Sequence, residues 1–351
     1  MVHRLAYVIY SCALEKIPMT EKENKLVDKF GRTVDYIRLS VTDRCDFRCV
    51  YCMTEDMKFL PRSQILSLEE LYLVAKAFIE LGVKKIRMTG GEPMVRSDVM
   101  SLIEKLGALP GLEELNLTTN GAQLDKYAPA LKAAGVNRIN ISIDSLDAKR
   151  FKRISRVGNL EKVLRGIKAA RSAGFDRIRL NSVIMRGYNE DEVIPLTEYA
   201  LDHNIDIAFI EEMPLGQASD HDREDTTCSN DWVRNVIEEK YELLNSTTKT
   251  AGPSRYVQVV GKDNRIGFIS PVTHNFCEEC NRVRVTVEGR LLLCLGNEHS
   301  VDLRAILRDE SASFDDLKRA IVASMEIKPE RHYFYDTDHE QPIRLMNMTG
   351  G

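Results

Sequence analysis

Six of the eight cysteines fall into two groups of three. Cys45, Cys49 and Cys52 are spaced C-x₃-C-x₂-C, and Cys277, Cys280 and Cys294 are spaced C-x₂-C-x₁₃-C. Three thiolates can ligate three irons of a [4Fe–4S] cluster and leave the fourth iron open to a non-protein ligand. An open iron is a place for chemistry. The competing assignment is zinc, whose closed sites want four ligands and usually pair two C-x₂-C units. No fourth ligand lies near the first trio, where the nearest downstream histidine is His203. His274 and His299 are close enough to the second trio to keep a zinc site open there on ligand grounds. Cys12 and Cys228 have no partner at cluster spacing and are expected to be non-ligands.

Six strand-like runs alternate with helix-like ones and predict an α/β fold of βα units around a parallel sheet, curled into a partial barrel. The strands are expected over 34–40, 84–89, 114–119, 137–143, 177–184 and 205–210. Helices are expected over 67–81, 124–134, 160–173 and 191–203, with Gly82, Gly135 and Gly174 placed as C-terminal caps. The first cysteine trio then follows the first strand, at the carboxyl end where such sheets carry their active sites. Side chains alternate between the two faces of a strand. One face is apolar throughout, from Ile37 and Leu39 to Ile207 and Phe209, and should meet the helices. The other carries Arg38, Ser40, Lys85, Arg87, Thr89, Asn116, Thr118, Asn140, Ser142, Arg179 and Asn181. Because small barrels normally fill their interior with branched apolar side chains, a polar, cationic lumen predicts an open cavity for an anion. An antiparallel sheet with one solvated face is the plain alternative, which the intervening helices disfavour.

Beyond residue 211 the periodicity changes. A helix over 230–241 precedes short strands over 256–260, 266–269, 282–287 and 291–295. Helical patterns over 300–308 and 313–324 lead to a polar tail ending Met348-Thr349-Gly350-Gly351. The expected organisation is an extension over 1–29, largely disordered, a barrel over 30–215, and a smaller C-terminal α+β domain over 216–351 carrying the second trio. Met19 is the expected usual first residue.

At 351 residues and 43% hydrophobic content the chain can bury one large core with a smaller appended one. A net charge of −4, without a basic tail or stripe, argues against nucleic-acid binding by blanket phosphate neutralisation. No run approaches the roughly 20 apolar residues needed to cross a bilayer, so no membrane partner and a cytoplasmic location are expected. In a reducing compartment the cysteines are thiols, ligands or catalysts rather than disulfides.

With Tyr51 before its last cysteine, the first trio resembles the signature of the radical S-adenosylmethionine superfamily. Gly90-Gly91-Glu92-Pro93, directly after the second strand, continues the likeness. Further stretches narrow the resemblance to the GTP 3′,8-cyclase family of molybdenum cofactor biosynthesis. They are Asp35-Tyr36-Ile37-Arg38-Leu39-Ser40-Val41-Thr42-Asp43-Arg44-Cys45, Thr118-Thr119-Asn120-Gly121, Cys280-Asn281-Arg282-Val283-Arg284 and the terminal Gly350-Gly351.

The resemblance implies two [4Fe–4S] clusters, on Cys45, Cys49 and Cys52 and on Cys277, Cys280 and Cys294. It implies S-adenosyl-L-methionine, bound near Tyr51, Gly90, Gly91, Glu92, Thr118, Asn120 and Ser142, as the source of a 5′-deoxyadenosyl radical. It implies GTP as substrate, its guanine at the second cluster's open iron, with Arg38, Lys85, Arg87, Arg179, Arg282 and Arg284 as contacts. In such a lyase the radical takes hydrogen from ribose carbon 3′, which then attacks carbon 8 of guanine. Arg282, Arg284, Gly350 and Gly351 are the implied catalytic residues. A reductant such as flavodoxin or ferredoxin and a downstream cyclic pyranopterin monophosphate synthase are the implied partners. Oligomeric state stays open, a homodimer being one option.

Two positions depart from the family pattern. Ala208 stands where many members carry a base on the lumen face, and Met346-Asn347-Met348-Thr349 replaces a more usual isoleucine before the double glycine. Two readings compete with the cyclase. A radical S-adenosylmethionine maturase acting on a peptide would show more C-terminal cysteines, and a zinc-bearing RNA-binding or interaction module would need a basic, aromatic platform.

Overall fold

A capping box starts the first crossover helix and illustrates how local sequence sets the frame. Ser67 Oγ accepts from the Glu70 N–H while the Glu70 carboxylate accepts from the Ser67 N–H. The helix α1 (Leu68–Glu80) then buries Leu71, Val74, Ala75 and Phe78 at helical spacing. Gly82, at φ +89°, turns the chain out of it. The computed structural model describes residues 25–175, 177–216, 223–247, 252–334 and 344–350.

Six strands, β1 (Tyr36–Ser40), β2 (Lys85–Thr89), β3 (Glu114–Thr119), β4 (Val136–Ser142), β5 (Arg177–Val183) and β6 (Asp206–Ile210), lie side by side in chain order and all parallel. Between them run α1, α2 (Val99–Gly107), α3 (Leu124–Ala133), α4 (Ala148–Ser155), α5 (Leu160–Ser172) and α6 (Val193–His203). The parallel pairing removes the antiparallel alternative. The apolar face is sealed as expected, with the residues from Ile37 and Leu39 to Ile207 and Phe209 at most 7% exposed. Each side chain so buried contributes about 1.5–3 kcal/mol.

The C-terminal strands extend this sheet at both edges. β7 (Leu243–Asn245), β8 (Arg255–Val259) and β9 (Arg265–Ile269) join beyond β6, with β9 parallel to it. β10 (Arg282–Val285), β11 (Arg290–Leu292) and β12 (Ser300–Asp302) join beyond β1, with β10 parallel to it.

Three local expectations are corrected. The helical pattern over 300–308 is β12 followed by a short helix, Leu303–Leu307, because residues 300–302 complete the edge pairing with β11. α2 and α4 were not anticipated. The fold also begins before residue 30: Leu26 is buried, its carbonyl accepts from the Val34 N–H, and Val27 bridges Thr33. Residues 1–24, including Cys12 and Met19, lie outside the described residues, while Cys228 is buried in the main apolar core.

Candidate active site

Strand direction decides where the two cysteine trios fall. The first follows the carboxyl end of β1. Cys277 and Cys280 precede β10, which runs parallel to β1, and Cys294 follows the antiparallel β11, so the second trio gathers at the opposite, amino end. All six thiols are free, half-buried and line one cavity of about 310 Å³. Among the described residues no three His, Cys, Asp or Glu converge as they would round a single ion.

Around the first trio, the Phe47 N–H donates to Cys45 Sγ at 3.3 Å. Burial, then the Glu92 carboxylate, raises the Cys45 thiol; burial, then Asp144, raises Cys49; and burial brings Cys52 to about 12. A metal cation bound to such thiols would favour their thiolate forms. The glycines that follow β2 serve the loop's backbone: a Cβ on Gly90 would lie 2.6 Å from the Thr42 carbonyl, and one on Gly91 would lie 2.3 Å from that of Arg44. The Gly91 and Glu92 N–H groups donate to those same carbonyls at 2.7 and 2.8 Å. Glu92 is buried and accepts from the Met94 and Asn120 N–H groups and the Thr119 hydroxyl, and burial lifts its carboxyl to about 7. Tyr51 donates to Asp144 at 2.8 Å, and burial holds that carboxyl up at about 6.

At the second trio cations reach one of the thiols. Burial opposes ionisation of Cys280, but Lys328 and Arg282 outweigh it and draw the thiol below its ordinary value. Burial holds Cys294 up at about 11. Arg32 donates to the Cys277 carbonyl at 2.8 Å and to the carbonyls of Pro329 and Glu330 at 2.6 Å each.

Between the two ends lies a belt of arginines. Register places Arg284, Arg38 and Arg87 abreast on β10, β1 and β2, continuing through Asn116 to Arg138 on β4, with Asn140 beside Arg179. Arg38, Arg87, Arg138, Arg179, Arg282 and Arg284 all line the cavity. Arg38, Arg87, Arg138, Arg179 and Arg282 form no ion pair with a carboxylate among the described residues. Their mutual field is visible in Tyr36: burial alone would raise its phenol, yet Arg87, Arg38 and Arg282 bring it down to about 8. Burial and Arg284 push Arg38 well below its ordinary value. Polar anchors hold the belt, with Arg87 donating to the Tyr36 hydroxyl and Arg179 to Tyr256 at 3.0 Å and Asn181 at 3.0 Å. Turned as its neighbours require, the Asn140 amide oxygen accepts from both Arg87 and Arg179. Among the described residues the buried Arg282 Nε has no hydrogen-bond partner, while its guanidinium lies over the Phe276 ring. Five cations crowded at this depth, with no carboxylate paired to them among the described residues, are arranged for an anion.

The tail closes this space. Residues Met346–Thr349 form one helical turn, and Arg38 donates through Nε and Nη2 to the Gly350 carbonyl at 3.2 and 2.8 Å. Gly350 sits at φ +79°, and a Cβ there would lie 2.2 Å from Thr89 Oγ1. Asn347 is buried and donates to the Asp43 carbonyl in the first cysteine loop at 2.9 Å.

Known proteins agree with this arrangement. The Radical SAM superfamily model matches residues 39–200, and the Molybdenum Cofactor Synthesis C model matches residues 205–334. The GTP 3′,8-cyclase of Ectopseudomonas mendocina is 56% identical over 93% of this chain and 99% of its own length. That of Pseudomonas syringae pv. syringae is 58% identical over 94% and 99%. The chain belongs to the GTP 3′,8-cyclase family. In Pseudomonas aeruginosa the member named GTP 3′,8-cyclase 2 is 56% identical over 94% of this chain and 99% of its own. A solved structure, Streptococcus suis SuiB bound to S-adenosylmethionine, shares the fold at TM-score 0.59 and 14% identity, covering 82% of this chain and 66% of that one.

The residues present fit the groups this family carries: a radical S-adenosylmethionine enzyme with iron–sulfur clusters has here two thiol trios and a cavity joining them. Of the expected site residues, the cavity takes in the six cysteines, Tyr51, Gly90, Gly91, Thr118, Asn120, Ser142, Arg38, Arg87, Arg179, Arg282, Arg284 and Gly350. Two stand outside its lining. Lys85 pairs with Glu114 at 3.2 Å, and the Glu92 carboxylate ties its own turn at Met94 to Thr119 and Asn120. Gly351 lies outside the described residues. Arg138, Tyr256 and Lys328 were missed. Arg138 was within reach of strand parity, lying two residues before Asn140; the other two reach the site through long-range pairing.

Proposed function

We infer that this chain is a radical S-adenosylmethionine GTP 3′,8-cyclase. It converts GTP to (8S)-3′,8-cyclo-7,8-dihydroguanosine 5′-triphosphate in the first step of molybdenum cofactor biosynthesis. The observation that carries the reading is the arginine belt strung between two cysteine trios at opposite ends of one cavity, in a chain more than half identical to named cyclases. When bound, a cluster with S-adenosylmethionine at the carboxyl end would supply radical chemistry, and a cluster at the amino end would supply a binding point for the guanine.

The chain's own residues do the placing. Cys45, Cys49 and Cys52 ligate the first cluster and Cys277, Cys280 and Cys294 the second. Arg38, Arg87, Arg179, Arg282 and Arg284 hold the triphosphate and ribose; planar guanidinium groups grip phosphate oxygens two at a time. Arg138 makes good the cation absent at Ala208, because it enters the same lumen from β4. Gly90 and Gly91 let the cysteine loop pack against β2, which keeps the S-adenosylmethionine site rigid beside Tyr51, Thr118, Asn120 and Ser142. Gly350, gripped by Arg38, excludes water from the carboxyl end. A flavodoxin or ferredoxin supplies the electron, and a cyclic pyranopterin monophosphate synthase consumes the product. Among the described residues no helix is long and apolar enough to cross a membrane, and the reading places the chain in the cytoplasm.

The test is anaerobic incubation of the reconstituted protein with S-adenosylmethionine, a reductant and each nucleoside triphosphate in turn. Only GTP should yield cyclised product. Cluster-loaded protein that cleaves S-adenosylmethionine yet cyclises no nucleotide would overturn the assignment.

A further inference from the structure

Lys328 is 1% exposed and stands among the largest fully buried side chains. Its Nζ donates to the Leu293 carbonyl at 3.0 Å and lies 3.7 Å from Cys280 Sγ. Among the described residues it forms no ion pair with a carboxylate. A buried ammonium without counter-charge is strongly disfavoured, so the group it faces must carry negative charge. The local sequence fixes it there. A 3₁₀ turn, Met325–Ile327, ends at Lys328 because the following Pro329 restricts it to extended backbone, φ −65° and ψ 122°. Arg32 then pins the carbonyls of Pro329 and Glu330 together with that of Cys277. The lysine and the cysteine loop are thereby clamped by one guanidinium.

At the first trio Arg48 donates to the Cys45 and Phe47 carbonyls at 2.6 and 2.8 Å, but among the described residues no lysine or arginine donates to a sulfur there. Carboxylates stand beside that trio, Asp46 next to Cys45 and accepting from Asn120 at 2.6 Å, and Asp144 accepting from Tyr51 at 2.8 Å, whereas at the second trio Lys328 Nζ lies 3.7 Å from Cys280 Sγ and Arg32 holds the Cys277 carbonyl. We propose that Lys328 is the counter-charge of the second cluster and holds its reduction potential above that of the first. A fixed cation favours the more negative, reduced cluster, and net charge around the sulfurs is one of the determinants of such potentials. Lys328 is a positioning residue that acts through Cys280. The inference rests on the reading that Cys277, Cys280 and Cys294 hold a cluster.

The experiment compares full-length wild type, Lys328→Met and Lys328→Arg, each reconstituted with iron and sulfide. It reads iron per chain, redox titration followed by electron paramagnetic resonance, and melting temperature with and without iron. In Lys328→Met the second cluster's midpoint should move to more negative potential, or its iron be lost, while the first cluster's signal stays in place. Lys328→Arg should keep the wild-type midpoint. Iron-free Lys328→Met should melt no lower than iron-free wild type, because a neutral side chain of similar length relieves a lone buried charge. The proposal fails if the methionine variant keeps an unchanged second midpoint and full iron, or if arginine shifts the midpoint as far as methionine. It also fails if the iron-free methionine variant melts far lower or does not fold, since the lysine's role is then packing. Wild type that takes up only one cluster would instead remove the underlying cluster reading, and this proposal with it.

Discussion

Arg87 and Lys85 stand two residues apart on one face of β2, yet they serve different ends of the lumen. Register sets Arg87 between Arg38 and Asn116 in the middle of the sheet, and sets Lys85 against Glu114 at its amino end. Strand parity made both residues legible as lumen-facing. It could not show that Lys85 would meet a carboxylate across the strand, because register depends on pairing and not on a single strand's pattern. Parity also offered Arg138, which enters the cavity with no carboxylate paired to it among the described residues. A charge-assisted phosphate contact is worth about 1.5–3 kcal/mol, roughly 10- to 150-fold in affinity. Arg87→Ala and Arg138→Ala should each weaken GTP binding by that order while sparing iron content. Lys85→Ala should do less, since a half-exposed ion pair is worth only about 0–1 kcal/mol. Equilibrium binding of GTP to the three reconstituted variants checks the ranking, and a larger loss at Lys85 than at Arg138 would reverse the assignment of the two.

At the scale of elements, the parallel strands were legible because each combines β-branched residues with a clean apolar face, and the capped helices because their caps and glycines bracket them. β12 was not: residues 300–308 carry a helical pattern, and pairing with β11 overrides it at the first three. The tail was legible only through resemblance, since a polar end without periodicity is ordinarily disordered. Its geometry argues for a seated plug, with Asn347 on the Asp43 carbonyl and Gly350 between Arg38, Thr89 and Ser40. Gly350→Ala adds a Cβ that meets Thr89 Oγ1 at 2.2 Å, in a left-handed conformation that disfavours alanine by about 1–2 kcal/mol. Cyclisation should fall sharply with both clusters retained. Thr89→Ala in the same chain should restore part of the activity, because it removes the nearest clashing atom and leaves the tight Thr89 Cβ contact at 3.2 Å and the backbone strain. No recovery in the double variant would show that the Thr89 Oγ1 clash is not the reason for the glycine.

The whole molecule converts a sequence separation of more than two hundred residues into two ends of one lumen. β10 pairs with β1 rather than with the last strand before it, so the chain closes back on its own beginning and brings Cys277 and Cys280 beneath the arginines that Cys45 stands above. Nothing in the sequence of either trio specifies that edge; it follows from long-range strand pairing, which single-strand patterns do not encode. The arrangement divides labour by position. The carboxyl-end trio shares its loop with Tyr51 and packs against the Gly90–Gly91 brace after β2, so Cys45→Ala should abolish formation of 5′-deoxyadenosine altogether. The amino-end trio touches none of these residues, and it borders Arg282 and Arg284. Cys277→Ala should therefore still cleave S-adenosylmethionine, uncoupled from GTP and without cyclised product. The check is deoxyadenosine and product counted per chain in both variants, with iron content confirming that each retains its other cluster. Equal loss of deoxyadenosine from both folded variants would mean that the two ends act as one unit, with radical formation depending on substrate seated at the far end.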